Sequence, residues 1–214
     1  MSVKKLFWED PYLTETEAVI TGIDGNIVLL DRTVIFAFSG GQHSDSGTIN
    51  GYQILKAEKK DREIYYTIEN NHGLTQGSSV KVLLDWKKRY RLMRLHFAAE
   101  IILELINQNY QNPEKIGANI SSEKARLDFI WHGNISAIFD DIISKSAVII
   151  NSDLPIISSF SDAANEKRYW EVKGFAKVSC GGTHLKRTGE VGQIGLKRNN
   201  IGKDKERIEI FLLS

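Results

Sequence analysis

The chain has 214 residues, of which 42% are hydrophobic and 26% charged, and its net charge of +1 excludes a strong overall field for a polyanion. No apolar run approaches the ~20 residues of a membrane span, and the first ten residues lack the apolar core of a signal peptide. The single cysteine, Cys180, excludes an internal disulfide framework and favours a protein of the reducing cytoplasm.

Short β-strands are predicted along the first part of the chain. Stretches rich in β-branched and aromatic residues alternate with turns such as Gly25-Asn26, at the spacing of a small barrel or sandwich. A loop rich in glycine and serine, Ser39–Gly47, interrupts the series. The predicted strands cover residues 18–23, 27–30, 33–38, 48–49, 53–56, 64–68 and 80–84.

The pattern changes at Asp85, which is the predicted N-cap of an amphipathic helix over residues 86–109. A second helix is predicted over residues 135–150, with Asn134 as its cap. Because helices on one face of an antiparallel or mixed sheet define an α+β fold, we place a domain boundary near residue 85, between domains 1–85 and 86–214. The remaining predicted strands cover residues 122–130, 169–172, 175–178, 192–197 and 207–213.

Four side chains of metal-ligand type occur in two pairs. His96 and Glu100 lie four residues apart on the first predicted helix, and therefore project from the same face one turn apart. Cys180 and His184 are also four apart, and the tight Gly-Gly-Thr turn between them lets a thiolate and an imidazole converge. Two nitrogens, one sulfur and one carboxylate oxygen form an acceptable tetrahedral set for zinc.

Each pair also has a structural interpretation. A His and a Glu four apart on a helix often form a surface pair, and a lone cysteine in a cytoplasmic protein is usually a small buried hydrophobe. The run from Cys180 to His184 is more specific, because two glycines between ligand types are an unusual choice for packing alone.

Several stretches of the chain together resemble the family of AlaX proteins and the editing domain of alanyl-tRNA synthetase. The resemblance covers nearly the whole chain and fits the medium-sized AlaX proteins. The stretches that carry it are Asp10–Leu13, Leu30–Thr33, Ser39–Gln42, Asp45–Gly47, Arg91–His96, Cys180–His184 and Thr188–Gly192.

The resemblance implies a fold and an activity. The fold would be a small N-terminal β-barrel carrying the Gly-Gly-Gln loop, followed by an α+β editing domain with a zinc site. The activity would be trans-editing, in which a metal-dependent aminoacyl-tRNA deacylase hydrolyses serine or glycine from mischarged alanine tRNA. The implied partner is the acceptor end of that tRNA, with no membrane involved, and the oligomeric state stays open.

The resemblance also implies roles for individual residues. Zinc, which would activate the water or anchor the substrate's amino group, would be held by His96, Cys180 and His184 at matching positions, with Glu100 as the fourth ligand where the chain leaves the family pattern. Thr33 and Gln42 match the family's substrate-side positions. A hydroxyl of Thr33 that bonds the serine hydroxyl would leave alanine without this partner, and Gln42 would hold the ribose or the ester. Thr33 is equally well explained as a strand residue of high β-propensity, and Asp45 as a residue that stabilises its turn.

The chain departs from the family pattern at a few positions. On the helix, Glu100 replaces the usual second histidine and Phe97 replaces a residue that is typically threonine. Before Gln42, Ala37 and Ser39 stand where the family has a proline and a further glycine. These departures leave the fold assignment intact and bear on metal affinity and specificity.

Basic residues cluster in the sequence although the net charge is small. Such clusters are commonly solvated faces, and a tRNA substrate would turn one of them into a phosphate-binding surface. The predicted tRNA-binding residues, on or beside the helix that carries His96, are Lys87, Lys88, Arg89, Arg91 and Arg94.

Three other functions are compatible with parts of the sequence. A degenerate editing module would bind tRNA without hydrolysing it, because its fourth ligand has changed. A zinc hydrolase of small esters or amides would act independently of tRNA. A full synthetase is poorly supported, because the chain has no ATP-binding motif and the editing parts account for its length.

Overall fold

The computed structural model describes residues 2–213, and these divide into two compact units. The first unit comprises the residues up to Ser39 together with His43–Tyr90. The second comprises Gly40–Gln42 and the residues from Arg91 onward. Within the described range, no helix combines the length and the apolar character needed to cross a membrane.

β-strands make up most of the regular secondary structure of the first unit. Its core is formed by alternating side chains such as Ile64, Tyr66 and Ile68, which are at most 1% exposed. The strands are β1 (Lys4–Lys5), β2 (Glu15–Asp24), β3 (Ile27–Leu30), β4 (Arg32–Thr33), β5 (Gly47–Ile49), β6 (Tyr52–Lys60), β7 (Glu63–Ile68) and β8 (Ser79–Leu84), with one short helix, α1 (Leu6–Glu9). Six of them pair antiparallel in the order β2-β3-β7-β6-β5-β8, and β8 pairs back with β2.

The predicted strand over residues 33–38 is wrong beyond Thr33, because side chains replace the ladder bonds of the following residues. The backbone N–H of Phe36 donates to Asp45 Oδ2 at 2.6 Å, and that of Phe38 donates to Ser44 Oγ at 2.8 Å. Residues 34–37 are buried nonetheless. The apolar run therefore belongs to the core without being a strand.

The second unit combines two sheets with two helices. Strands pair antiparallel in the orders β14-β15-β10-β9 and β11-β12-β13. The strands are β9 (Lys115–Ile120), β10 (Ala125–Ile130), β11 (Ile157–Asp162), β12 (Lys167–Val172), β13 (Ala176–Ser179), β14 (Ile194–Gly202) and β15 (Lys205–Leu212). The helices are α2 (Trp86–Asn109), whose first turn lies in the first unit, and α3 (Phe139–Asn151), with short 3-10 turns at Ile135–Ile138 and Thr188–Val191.

Both helix predictions are confirmed in position, and so is the α+β class with antiparallel sheets. Asp85 caps α2 by accepting a hydrogen bond from Lys88 N at 3.1 Å, and Asn134 accepts one from Ser136 N at 2.9 Å. The first turn after Asn134 is 3-10 rather than α. The predicted apolar stripe of α2 is buried, and it consists of Leu92, Leu95, Ala99, Ile102 and Ile106.

Candidate metal centre

Two elements of the second unit bring the predicted metal ligands together. His96 lies on α2, and Cys180 and His184 lie on the turn that follows β13. Cys180 N donates to Arg168 O at 2.9 Å, which ties the start of this turn to β12. The turn is thus held by the sheet on one side and faces the helix on the other.

Three of the four predicted ligands converge on one point. Cys180 Sγ lies 3.5 Å from His96 Nε2 and 3.3 Å from His184 Nε2. The two imidazole rings stack with centroids 5.1 Å apart. The potential ligand atoms of these three residues all lie within 4.8 Å of one another, and both histidines are buried. This arrangement is compatible with a bound metal ion.

Glu100 lies beside this cluster but outside the group of three. Its Oε1 is 3.3 Å from His96 Nε2 and 3.7 Å from Cys180 Sγ. Its Oε2 accepts a hydrogen bond of 3.0 Å from Trp170 Nε1. Phe97, the other departure from the family pattern on the helix, packs edge-on against Trp170, with ring centroids 5.1 Å apart. Both departures therefore contact one buried tryptophan.

The outer nitrogens of the two imidazoles have partners that suit a metal site. His96 Nδ1 lies 3.2 Å from the carbonyl of Thr183, which can only accept, so this nitrogen carries a proton. His184 Nδ1 lies 3.0 Å from Ser158 Oγ. With Nδ1 engaged in this way, Nε2 is the nitrogen that each ring presents to Cys180. Ligating histidines are usually held through their second nitrogen in this manner, so the donor set fits zinc.

His96, Glu100 and His184 shift one another's pKa values. Burial lowers the pKa of His96, but the adjacent Cys180 and Glu100 outweigh burial and raise it well above its ordinary value. Burial, reinforced by the charge on His96, holds the pKa of His184 well below its ordinary value. Burial raises the pKa of Glu100, but the hydrogen bond and charge of His96 bring it down to about 2. A divalent cation would therefore have to displace the proton that this environment favours on His96.

Gly181 and Gly182, in the turn between Cys180 and His184, are not equivalent. A Cβ built on Gly182 would lie 2.2 Å from His96 Cε1 and 2.6 Å from Gln42 Oε1. A Cβ on Gly181 would meet nothing within 4 Å. Gly182 is therefore required for space at the site, whereas Gly181 is not.

Gln42 belongs to the second unit and lies against the same turn. Its Nε2 donates to Thr183 Oγ1 at 2.8 Å, and its Oε1 accepts from Thr183 N at 3.2 Å. Before it, Gly41 has a φ of +87°, and a Cβ there would lie 2.8 Å from Ala118 O, so this position needs glycine. The Gly-Gly-Gln loop is thereby fitted closely to β9.

Thr33 lies in the core of the first unit. It is fully buried, and its Oγ1 accepts hydrogen bonds from Tyr66 OH at 2.7 Å and from Ile35 N at 3.0 Å. Burial raises the pKa of Tyr66, so the phenol stays protonated and donates. Two of the three bonding positions of the Thr33 hydroxyl are thus occupied by the protein itself.

The predicted tRNA-binding residues differ in exposure. Arg89 is fully buried, and its guanidinium donates to both oxygens of Asp45 and to the carbonyls of Pro11 and Val34. These bonds leave it no access to a phosphate, so its role is structural. Lys87 is exposed, and the other three, which are Lys88, Arg91 and Arg94, are partly buried.

Sequence reasoning missed several residues that contact the predicted ligands. Thr183 lies inside the Cys-Gly-Gly-Thr-His run, where the sequence indicates only a turn between two predicted ligands. Trp170 and Ser158 lie on strands with no motif to mark them. A hydroxyl residue directly before a predicted metal ligand is a signal that could have drawn attention to Thr183.

Comparison with known proteins places the chain in a family. A family model described as "Threonyl and Alanyl tRNA synthetase second additional domain" matches residues 171–209. The alanyl-tRNA editing protein AlaX-M of Pyrococcus horikoshii is 32% identical, over 98% of this chain and 97% of that protein. The AlaX-M protein of Methanosarcina acetivorans is 30% identical, over 97% of this chain and 98% of that protein.

The same comparison connects the chain to larger synthetases. The alanine–tRNA ligase of Methanococcus aeolicus is 33% identical over 95% of this chain, which spans only 25% of the ligase. The chain thus corresponds to one part of the ligase and to nearly all of the AlaX-M proteins. It belongs to the family of AlaX-M alanyl-tRNA editing proteins, which is related to the editing domain of alanyl-tRNA synthetase.

Proposed function

We propose that this protein is a trans-editing hydrolase that removes a wrongly attached amino acid, serine or glycine, from alanine tRNA. The observation that carries the proposal is the convergence of the buried His96 and His184 with the partly buried Cys180 on one point. Family membership supplies the substrate class, because the similar proteins are named for alanyl-tRNA editing. The substrate bond is an ester between the amino acid and the terminal ribose.

The metal proposed for this site is zinc. His96, Cys180 and His184 would hold it, with Glu100 as the fourth ligand, because Glu100 Oε1 already lies within 3.3 Å of His96 Nε2. Zinc would supply a Lewis acid for ester hydrolysis when bound. Trp170 would orient the carboxylate of Glu100, and the Thr183 carbonyl would orient His96.

Recognition of the substrate is proposed for Thr33 and for a set of basic residues. Thr33 would discriminate serine from alanine by the one hydrogen bond that its hydroxyl can still donate. Phosphates of the acceptor stem would be neutralised by Lys87, Lys88, Arg91 and Arg94, and Arg89 is left out because it is buried.

We propose further that the closed strand order of the first unit is the N-terminal β-barrel expected for residues 1–85. The second unit would then be the editing domain expected for residues 86–214. The six antiparallel pairings and the change of unit near Tyr90 support this assignment.

The test is deacylation of alanine tRNA charged with serine, glycine or alanine, with and without a zinc chelator. We expect faster hydrolysis of the seryl or glycyl ester than of the alanyl ester, and loss of activity with the chelator. Equal rates on all three, or none on any, would reject the proposal. Binding of tRNA without hydrolysis would favour a degenerate module, and hydrolysis of small esters without tRNA would favour a general zinc hydrolase.

A further inference from the structure

The side-chain amide of Gln42 is engaged at both ends by one residue. Nε2 donates to Thr183 Oγ1 at 2.8 Å, and Oε1 accepts from Thr183 N at 3.2 Å. Both residues are 1% exposed, so these bonds are shielded from water. A buried amide in a reciprocal pair is fixed in orientation, because any rotation would leave a polar group without its partner.

Thr183 in turn contacts the metal cluster through its backbone. It directly precedes His184, and its carbonyl lies 3.2 Å from Nδ1 of His96. The carbonyl can fix the ring of His96 only if the peptide carrying it is itself held in place. Thr183 therefore connects His184, its neighbour in the chain, with His96, which its carbonyl contacts. The side-chain amide of Gln42 holds Thr183 in place.

The backbone at Gln42 is held in place by β9. Ile120 N donates to Gly41 O at 2.8 Å, and Gln42 forms a parallel bridge with Ile120. The missing side chain of Gly182 leaves the space in which Gln42 Oε1 and the ring of His96 approach the turn. The backbone of Gln42 is thus held against β9, and the lack of a side chain at Gly182 leaves room for the Gln42 amide.

We propose that Gln42 and Thr183 are a positioning pair for the metal centre. Gln42 acts through Thr183, by holding the turn of Cys180 and His184 and the ring of His96, instead of touching the ester. The inference rests on the proposed metal site and deepens it by assigning a role to the glutamine of the Gly-Gly-Gln loop. Partners that orient metal ligands affect metal affinity as well as activity.

The test compares variants that remove either half of the pair. Thr183→Val deletes the hydroxyl, keeps the branched shape and keeps both backbone groups, while Gln42→Met deletes the amide at similar length. Thr183→Ser is the matched control, because it retains the hydroxyl. Zinc affinity is measured by competition with a chromophoric chelator, and ligand geometry by the visible spectrum of the cobalt-loaded protein.

We expect Thr183→Val and Gln42→Met each to weaken zinc binding by about 10- to 100-fold and to alter the cobalt spectrum. The double variant should bind no more weakly than Gln42→Met alone, because Gln42→Met already removes both bonds of the pair, including the one that Thr183→Val removes. Thr183→Ser should keep an affinity and a spectrum close to those of the wild type.

Two results would overturn the inference. Wild-type zinc affinity and cobalt spectrum in both variants, together with lost deacylation, would mean that Gln42 contacts the substrate directly. Failure of the wild-type protein to take up either metal would reject it as well. If Thr183→Val does not fold, as judged by thermal unfolding, Gln42→Met carries the test alone. Metal binding is measured without tRNA, so wild-type protein that binds zinc but hydrolyses no ester would refute only the proposed function.

Discussion

Each unit of the protein buries a cluster of polar side chains, and the two clusters are completed in different ways. In the first unit, Arg89 and Asp45 are both fully buried, and each is paired with the other and with backbone groups. In the second unit, the sulfur of Cys180 and the Nε2 atoms of His96 and His184 point toward one another.

The difference lies in what each cluster still lacks. A guanidinium donates and a carboxylate accepts, so the first cluster is complete as it stands. Sulfur and imidazole Nε2 atoms that face one another at 3.3 to 3.5 Å need a proton or a cation between them. A buried pair of opposite charges is therefore complete without a ligand, whereas a convergence of lone pairs is compatible with a bound metal ion.

Removal of the thiolate should have the largest effect. Cys180→Ala takes away the sulfur on which both imidazoles converge, and we expect bound zinc and deacylation to be lost together. Elemental analysis of the purified protein measures the metal. The matched control is His132→Ala, which removes an exposed histidine paired with Asp204 and should leave metal content unchanged. Full zinc occupancy in Cys180→Ala would contradict the assignment of the centre.

Breaking the complete cluster should instead affect folding. Arg89→Met leaves Asp45 as a buried, unpaired charge, and we expect a loss of about 3–5 kcal/mol in the free energy of unfolding. Urea unfolding in the presence of a chelator measures this without a contribution from metal binding. Lys87→Met, on the exposed side of the same turn, should change stability by less than about 0.5 kcal/mol. Equal stabilities of the two variants would show that the buried pair is not needed.

Thr33 sharpens the comparison because a substrate role is proposed for a residue whose hydroxyl is used in the core. Thr33→Val removes the oxygen that accepts from Tyr66 OH and Ile35 N, so we expect a loss of about 1–3 kcal/mol in stability. If Thr33 also discriminates substrates, the preference for serine over alanine should fall more than overall turnover. Thr33→Ser retains the hydroxyl and serves as control. An unchanged preference would restrict Thr33 to its structural role.

Glu100 should show the smallest effect, because it lies at the edge of the metal cluster. Glu100→Gln removes the charge but keeps an oxygen that can accept from Trp170, and we expect zinc affinity to fall by about tenfold, or ~1.4 kcal/mol. Glu104→Gln, one turn further along α2, is the matched control. If both variants bind zinc as tightly as the wild type, Glu100 is not a ligand.

Secondary-structure elements with a periodic pattern of apolar residues were predictable from the sequence. The helix α2 (Trp86–Asn109) is visible in the spacing of its apolar residues, and its cap at Asp85 follows from residue type. β9 (Lys115–Ile120) was missed because Gly117 and Asn119 interrupt its short run of apolar residues, and it depends on its pairing with β10. Residues 34–37 have the composition of a strand, but the bonds that Asp45 and Ser44 make with this segment are not local.

The predicted ligands of the candidate site could be chosen from the sequence, but the residues that hold them in place could not. His96, Cys180 and His184 could be chosen because few side chains bind zinc and their spacing was suggestive. The contact of Gln42 with Thr183 spans 141 residues, and no local pattern encodes it. Arg89 could have been placed inside: it lies three residues before Leu92 and seven before His96, on the face of α2 that is buried.

Gly182 has a consequence for how this chain can change over generations. Any side chain there would collide with His96 on the helix and with Gln42 on the glycine loop, so one mutation would disturb two distant segments at once. No single compensating change elsewhere could make room for it. At position 181, by contrast, a Cβ would meet nothing within 4 Å. A lineage that keeps this centre is therefore expected to keep the second glycine of the run.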